Sequence, residues 1–183
     1  MTDDQIKSQR TIAQRAALRW PSMPQRTVRT VLRLPPGSRA RRLVLQRVAE
    51  KAFLAWNRSD FALIPDIFDD PEVETHIARN PIGADPVYYG PEGHCRAMEI
   101  WNDAWREWDG DIEEVIDEAR NQVVVVARVY GEGAASGIRL DAWGAVRYTF
   151  REGRILRVDA AFDSDRDRAL DALGVLKAAE LSE

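Results

Sequence analysis

The stretch YYGPEGHCRAMEIWNDAWREW, residues 88–108, decides the fold. Pro91 suits a first helical turn, where a missing N–H costs nothing. At 100° per residue His94, Met98, Trp101, Trp105 and Trp108 fall within one arc of about 80°, flanked by Ala97 and Ala104. Arg96, Glu99, Asp103 and Glu107 lie across the helix. The spacing predicts a helix from Pro91 to Trp108 with its tryptophans facing inward. Ahead of it, ARNPIGADPVYYGPEG carries three prolines and three glycines, so a long loop leads in. Loops of that length are often functional, which makes Tyr88 and Tyr89 rim candidates.

The chain beyond this helix reads as β. Strands are predicted over residues 112–118, 122–130, 138–151 and 154–162, separated by Asn or Gly turn signals, with REGR as a tight hairpin. SDRDRALDALG closes with a short helix capped by Ser164 and stopped by Gly174. Upstream, Ser38 caps a helix to Asn57 whose Leu45, Val48, Ala49, Ala52, Phe53 and Trp56 form a broad buried face. A short helix through Ile67 and a strand over Val73–Ile77 follow. VVVVARVY is apolar at odd and even positions alike, so both sheet faces are expected to be covered. One face takes the helices. The other is expected to meet the N-terminal arm or a second subunit, giving a homodimer through the outer sheet face.

With 183 residues, 45% hydrophobic and 31% charged, the chain can bury one core, which excludes disorder throughout. No apolar run reaches the roughly 18 residues of a membrane span, and no secretory h-region opens the chain, so the default location is cytoplasmic. Cys95 is the single cysteine and His76 and His94 are the two histidines, which argues against a Cys/His zinc site; no metal is expected. Charge is unevenly placed. Up to Val48 there are 11 Lys/Arg against 2 Asp/Glu; from Ala49 onward there are 15 against 28. Such a basic arm can fold back on its own acidic body, bind a partner subunit, or bind nucleic acid or an anionic membrane surface. Its arginines lack interleaved aromatics apart from Trp20, which argues against nucleic acid. The arm, residues 1–37, combines a weak amphipathic helix (Ile6, Ala13, Ala16, Ala17 and Trp20, preceded by Asp3 and Asp4) with a Pro-rich linker ordered around residues 28–34. Residues 38–175 form the compact domain and 176–183 a tail.

This order of elements resembles the SnoaL-like branch of the nuclear transport factor 2-like superfamily. The resemblance is carried by AFLAWNRSDFALIPDIFDDPEVE (52–74), YYGPEGHCRAMEIWNDAW (88–105) and TFREGRILRVDAAFDSDRDRALDALG (149–174). It implies an α+β fold in which a cone-shaped, curved antiparallel sheet wraps around helices and encloses a pocket. Members include polyketide cyclases and ketosteroid isomerase, and also binding proteins without catalysis, so the fold alone leaves the function open. The implied ligand is a small, largely apolar molecule and the implied chemistry is cofactor-free acid–base isomerisation, cyclisation or hydrolysis; the alternative is a non-catalytic ligand-binding module or a dimeric interaction and assembly module.

Proton transfer in an apolar pocket needs a carboxylate or histidine and a donor for the developing oxyanion. The resemblance places a pocket-facing acidic or polar residue at Asp159, and His76 shares the polar face of its strand with Glu74. These are the catalytic candidates, each weighed against a purely structural partner role. Arg128 follows four valines and an alanine, and either anchors an anionic ligand or pairs with Asp141 or Asp159. Trp56, Tyr88, Trp101, Trp105 and Tyr148 are the candidate ligand-lining aromatics, against a core role for each. His94, in the same apolar stripe, reads as a mouth or core residue packed on Met98.

Overall fold

The computed structural model describes residues 9–79, 82, 83 and 85–175. In chain order the elements are α1 (Ile12–Arg19), α2 (Ser22–Leu32), α3 (Arg39–Asn57), α4 (Leu63–Phe68), β1 (Asp69–Ala78), β2 (Val87–Tyr89) and α5 (Gly90–Ala104). There follow β3 (Trp105–Ala119), β4 (Gln122–Gly133), β5 (Arg139–Arg151), β6 (Arg154–Asp163) and α6 (Arg166–Ala172). One six-stranded sheet has the order β2-β1-β6-β5-β4-β3. Strands β3 to β6 form the expected antiparallel meander, while β1 joins β6 in parallel. Register shifts interrupt β1, β3 and the β5–β6 pair, and such bulges bend the sheet into an unclosed, curved wall.

Among the boundaries that differ from the sequence reading, three are instructive. Helix α5 stops at Ala104, and Trp105 and Trp108 belong to β3, opposite Gly133 and Gly131. Their helical spacing from Trp101 is equally compatible with a helix-to-strand junction. The Pro-rich linker is in fact α2: Pro21 is its N-cap and Pro24 lies in its first turn, where proline is tolerated. Asp165, and not Ser164, caps α6, its carboxylate accepting from the Arg168 amide at 3.0 Å. Ser38 does cap α3 as expected. Asp3, Asp4, Ile6 and the tail 176–183 lie outside the described residues.

The two faces of the sheet have different covers. On the convex side Ala169, Leu170 and Leu173 of the α6 region, with Val175, pack on Val124, Val126, Ala145 and Ala161. On the concave side the basic arm folds back on its own body. Val28, Val31 and Leu32 of α2 pack with Leu45 and Val123, and Ala17 and Leu18 of α1 meet Ala55, Leu63 and Ile67. Polar contacts hold this placement: Arg10 of the arm donates to Asp60 at 2.8 Å, and Arg41 of α3, fully buried, donates to the Leu32 carbonyl at the end of α2 at 2.7 Å. Among the described residues, no helix is long and apolar enough to cross a membrane.

Candidate functional site

The concave face and the helices laid across it enclose a cavity of about 160 Å³. Its walls follow from two periodicities. Helix α3 contributes Leu45, Ala49, Phe53 and Trp56, one stripe of a 3.6-residue period. Strand β5 contributes Val146, Tyr148 and Phe150, and β6 contributes Val158, Ala160 and Phe162, alternate residues of each strand. Helix α5 adds Ala97, Met98 and Trp101, whose indole stacks on Phe162 with centroids 4.1 Å apart. Thr75 and Ile77 of β1, Val123 and Val125 of β4, Ile64 and Phe68 of α4 and Val28 of the arm also line it.

The polar side chains of this lining are Thr75, His94 and Tyr148. His94 sits in the first turns of α5, and β1 begins beside it. There Asp69, whose side chain is wholly buried, brings Oδ2 to 2.8 Å from His94 Nδ1. A carboxylate in that position selects the tautomer protonated on Nδ1, which leaves Nε2 with its lone pair. Asp69 Oδ1 and Thr75 Oγ1 are buried without a hydrogen-bond partner among the described residues, as are the indole N–H groups of Trp56 and Trp101. Burial pushes the Tyr148 hydroxyl up to about 12, and the charge of Asp69 adds to the shift, so the phenol stays a proton donor. The arrangement can hold an apolar molecule, donate to its oxygen and move a proton at one corner.

Strand parity decides the fate of the two catalytic candidates. Because Thr75 and Ile77 point into the cavity, His76 points out, with Nε2 at 2.9 Å from Glu74 Oε2. Because Val158 and Ala160 point in, Asp159 points out and accepts from Arg157 Nε at 2.8 Å. Both therefore lie on the convex face, away from the cavity. Arg128 is there too, donating to Asp141 at 2.6 Å and lying 5.0 Å from the Trp143 ring centroid. Trp56, Trp101 and Tyr148 line the cavity. Trp105 stands behind Trp101, centroids 5.6 Å apart, and Tyr88 is buried against Gly93; neither reaches the lining. The Asp69–His94 pair escapes sequence reading because 25 residues separate its members. The available signal was a histidine within an otherwise apolar helical stripe, which needs a buried partner.

A family model described as a SnoaL-like domain matches residues 49–158. No curated protein matches the chain's sequence. Solved structures with this fold include TsrD from Streptomyces laurentii, at 20% identity and TM-score 0.53, covering 74% of this chain and 98% of that one. An NTF2-like protein from Burkholderia pseudomallei aligns at 16% identity and TM-score 0.56, covering 69% and 95%. TerC, crystallised with polyporic acid, aligns at 19% identity and TM-score 0.50, covering 62% and 90%. At these identities the structures speak for the fold alone, but the matched segment holds α5, β1 and most of the cavity wall. The chain therefore belongs to the SnoaL-like domain family.

Proposed function

We propose that the cavity binds a small, largely apolar molecule bearing a carbonyl or similar oxygen, and that His94, oriented by Asp69, moves a proton on it. The observation that carries this reading is a buried Asp–His pair at the edge of a cavity whose lining is otherwise almost wholly apolar. A volume of about 160 Å³ suits a molecule of one substituted ring, since an apolar cavity of about 150 Å³ holds benzene. In the proposed step Nε2 takes a proton from the carbon beside the carbonyl. The C–H electron pair moves into the enolate, and the oxygen takes up hydrogen bonds from the Tyr148 or Thr75 hydroxyl. Return of the proton to a different carbon of the conjugated system completes an isomerisation; attack of the enolate carbon on a second carbonyl carbon of the same molecule, whose π pair moves to its oxygen and takes the proton from Nε2, completes a cyclisation. TerC's crystallisation with polyporic acid supports the idea that this fold admits an organic ligand.

The unpartnered indole N–H groups of Trp56 and Trp101 favour a second reading, binding without turnover, because a ligand acceptor would satisfy buried donors that are costly to leave unmade. One experiment separates the two. Acetophenone, a one-ring methyl ketone, is incubated with the protein in D2O and methyl deuteration is followed by NMR. Catalysed exchange that disappears in His94→Ala supports the acid–base reading. Saturable binding without exchange supports binding alone, and neither binding nor exchange, across acetophenone and ring-substituted homologues, removes the cavity reading.

A further inference from the structure

A second concavity, of about 450 Å³, lies outside the cone, between the start of α2 and the β5–β6 hairpin. Its lining brings together Arg26 and Arg29 of α2 with Arg151 and Arg154 of the hairpin, against the carboxylates of Asp70 and Glu152. With Glu72 beside the basin, four guanidinium groups meet three carboxylates, and the pairing shows which cations stand without a partner. Arg151 is taken by Asp70 at 2.6 Å and Glu72 at 2.7 Å, and Arg29 faces Glu152 at 3.9 Å. Arg26 and Arg154 form no ion pair within contact distance among the described residues; Arg154 touches Asp70 only through its field. Ser22 and Gln25 line the same basin at the first turn of α2, whose N-cap, Pro21, offers no side-chain hydrogen bond. Of the first amides of α2, Met23 already donates to the Trp20 carbonyl at 3.0 Å and Pro24 has none, so the helix start adds its dipole and the Ser22 amide.

We propose that this basin binds a phosphate group, carried as a monoester on a small molecule. A phosphomonoester near neutral pH bears about −1.5 to −2 charges, which the two guanidinium groups without ion pairs, Arg26 and Arg154, can meet together. Planar guanidinium forks on both sides suit its oxygens. The basin is also larger than a bare phosphate requires and falls in the range of small-molecule sites, about 300 to 1,000 Å³. Bound there, the phosphate bridges α2 to the hairpin and so fastens the helix that supplies Val28 to the cavity wall. The site is independent of the chemistry assigned to His94, because no residue is shared between the two linings.

The test is titration of the full chain with inorganic phosphate and with phenyl phosphate at constant ionic strength, read by amide chemical shifts and thermal midpoint. Saturable shifts centred on Ser22–Arg29 and Arg151–Arg154 are expected, with phenyl phosphate binding at least as tightly. Arg26→Ala and Arg154→Ala, both free of ion pairs, should each weaken binding about tenfold or more, while Arg120→Ala, on a distant turn, should not. Shifts reproduced by potassium chloride, or unchanged in Arg26→Ala and Arg154→Ala, overturn the site. Binding of inorganic phosphate with exclusion of phenyl phosphate overturns the monoester.

Discussion

Asp69 and Asp70 are adjacent in β1 and serve opposite faces of the sheet. Asp69 turns inward to His94 at 2.8 Å, whereas Asp70 turns outward to Arg151 at 2.6 Å. The inner pair is the more demanding, because both side chains are sealed from solvent. His94→Ala would leave a buried carboxylate alone, and removing one member of a buried pair costs about 3–5 kcal/mol. Asp69→Asn can still accept from Nδ1 but buries an amide with no second acceptor, a loss of about 1–3 kcal/mol. Urea unfolding of both variants checks this. Losses below about 0.5 kcal/mol in each would mean that the pair is not buried as described.

Arg41 should be the most sensitive position of α3. Its guanidinium, 0% exposed, donates to the Leu32 and Leu34 carbonyls at 2.7 and 3.1 Å, to the Ala119 carbonyl at 2.6 Å and to Asp117. It thus ties the end of α2 to the β3–β4 turn. Arg41→Ala is expected to cost about 3–5 kcal/mol. Arg41→Lys should recover only part of that, since a compact ammonium cannot reproduce the fork. Equal urea midpoints for Arg41→Lys and the wild type would contradict the fork geometry.

The legible part of this architecture is the part whose periodicity is clean. Leu45, Ala49, Phe53 and Trp56 mark the inward stripe of α3, and Val146, Tyr148 and Phe150 the inward face of β5; all of them line the cavity. Strand β6 is different. Val158, Ala160 and Phe162 face the cavity while Ala161 meets the apolar cover from α6, so apolar residues occupy both faces and alternation no longer tells inside from outside. Asp159 is the casualty: its place between Val158 and Ala160 leaves its direction to register. Trp105 fails for another reason, since a helix stripe that runs into a strand keeps its spacing across the junction. The partnership of Asp69 with His94 depends on where β1 sits beside α5, a tertiary fact with no local signature.

Acidification should weaken the outer face of β1. Burial pushes Asp70 up, but hydrogen bonds from Arg151 and the Glu72 amide, with the fields of Arg151 and Arg154, outweigh it and hold the carboxyl below 3.8. Asp163 is held low as well, first by the Asp165 amide and then by Arg79. A carboxyl depressed in the folded state stabilises the fold above its unfolded value. That contribution disappears as pH falls through the folded value. Unfolding free energy should therefore decline below about pH 4, and Asp70→Asn should make the decline shallower. An identical pH slope in Asp70→Asn would remove Asp70 from this account.

Gly153 sets how closely α2 can sit on the hairpin. Its φ is +85°, and a Cβ there would lie 2.2 Å from the Gln25 carbonyl oxygen and 3.0 Å from Arg29 Cβ. Gly153→Ala adds left-handed backbone strain to a backbone clash, so α2 must lift. A loss greater than about 1 kcal/mol is expected, with faster trypsin cleavage after Arg26 and Arg29. Glu152→Ala, which removes only an exposed pair at 3.9 Å, should change stability by less than about 1 kcal/mol. Equal proteolysis of Gly153→Ala and wild type would place the helix farther from the hairpin.

The one thiol should be chemically quiet. Burial, then the charge of Glu99, pushes Cys95 from 9.0 to about 11, and its Sγ donates toward Glu99 Oε1 at 3.8 Å. Two units mean about a hundredfold smaller thiolate fraction near neutral pH. Iodoacetamide should therefore alkylate the folded chain about a hundredfold more slowly than the chain unfolded in urea at the same pH. Glu99→Gln removes the carboxylate's charge and its hydrogen bond to the thiol but leaves the burial, so it should restore part of the rate without reaching the unfolded value. Full restoration in Glu99→Gln would show that charge and not burial governs the thiol, and would place Cys95 at the surface of α5.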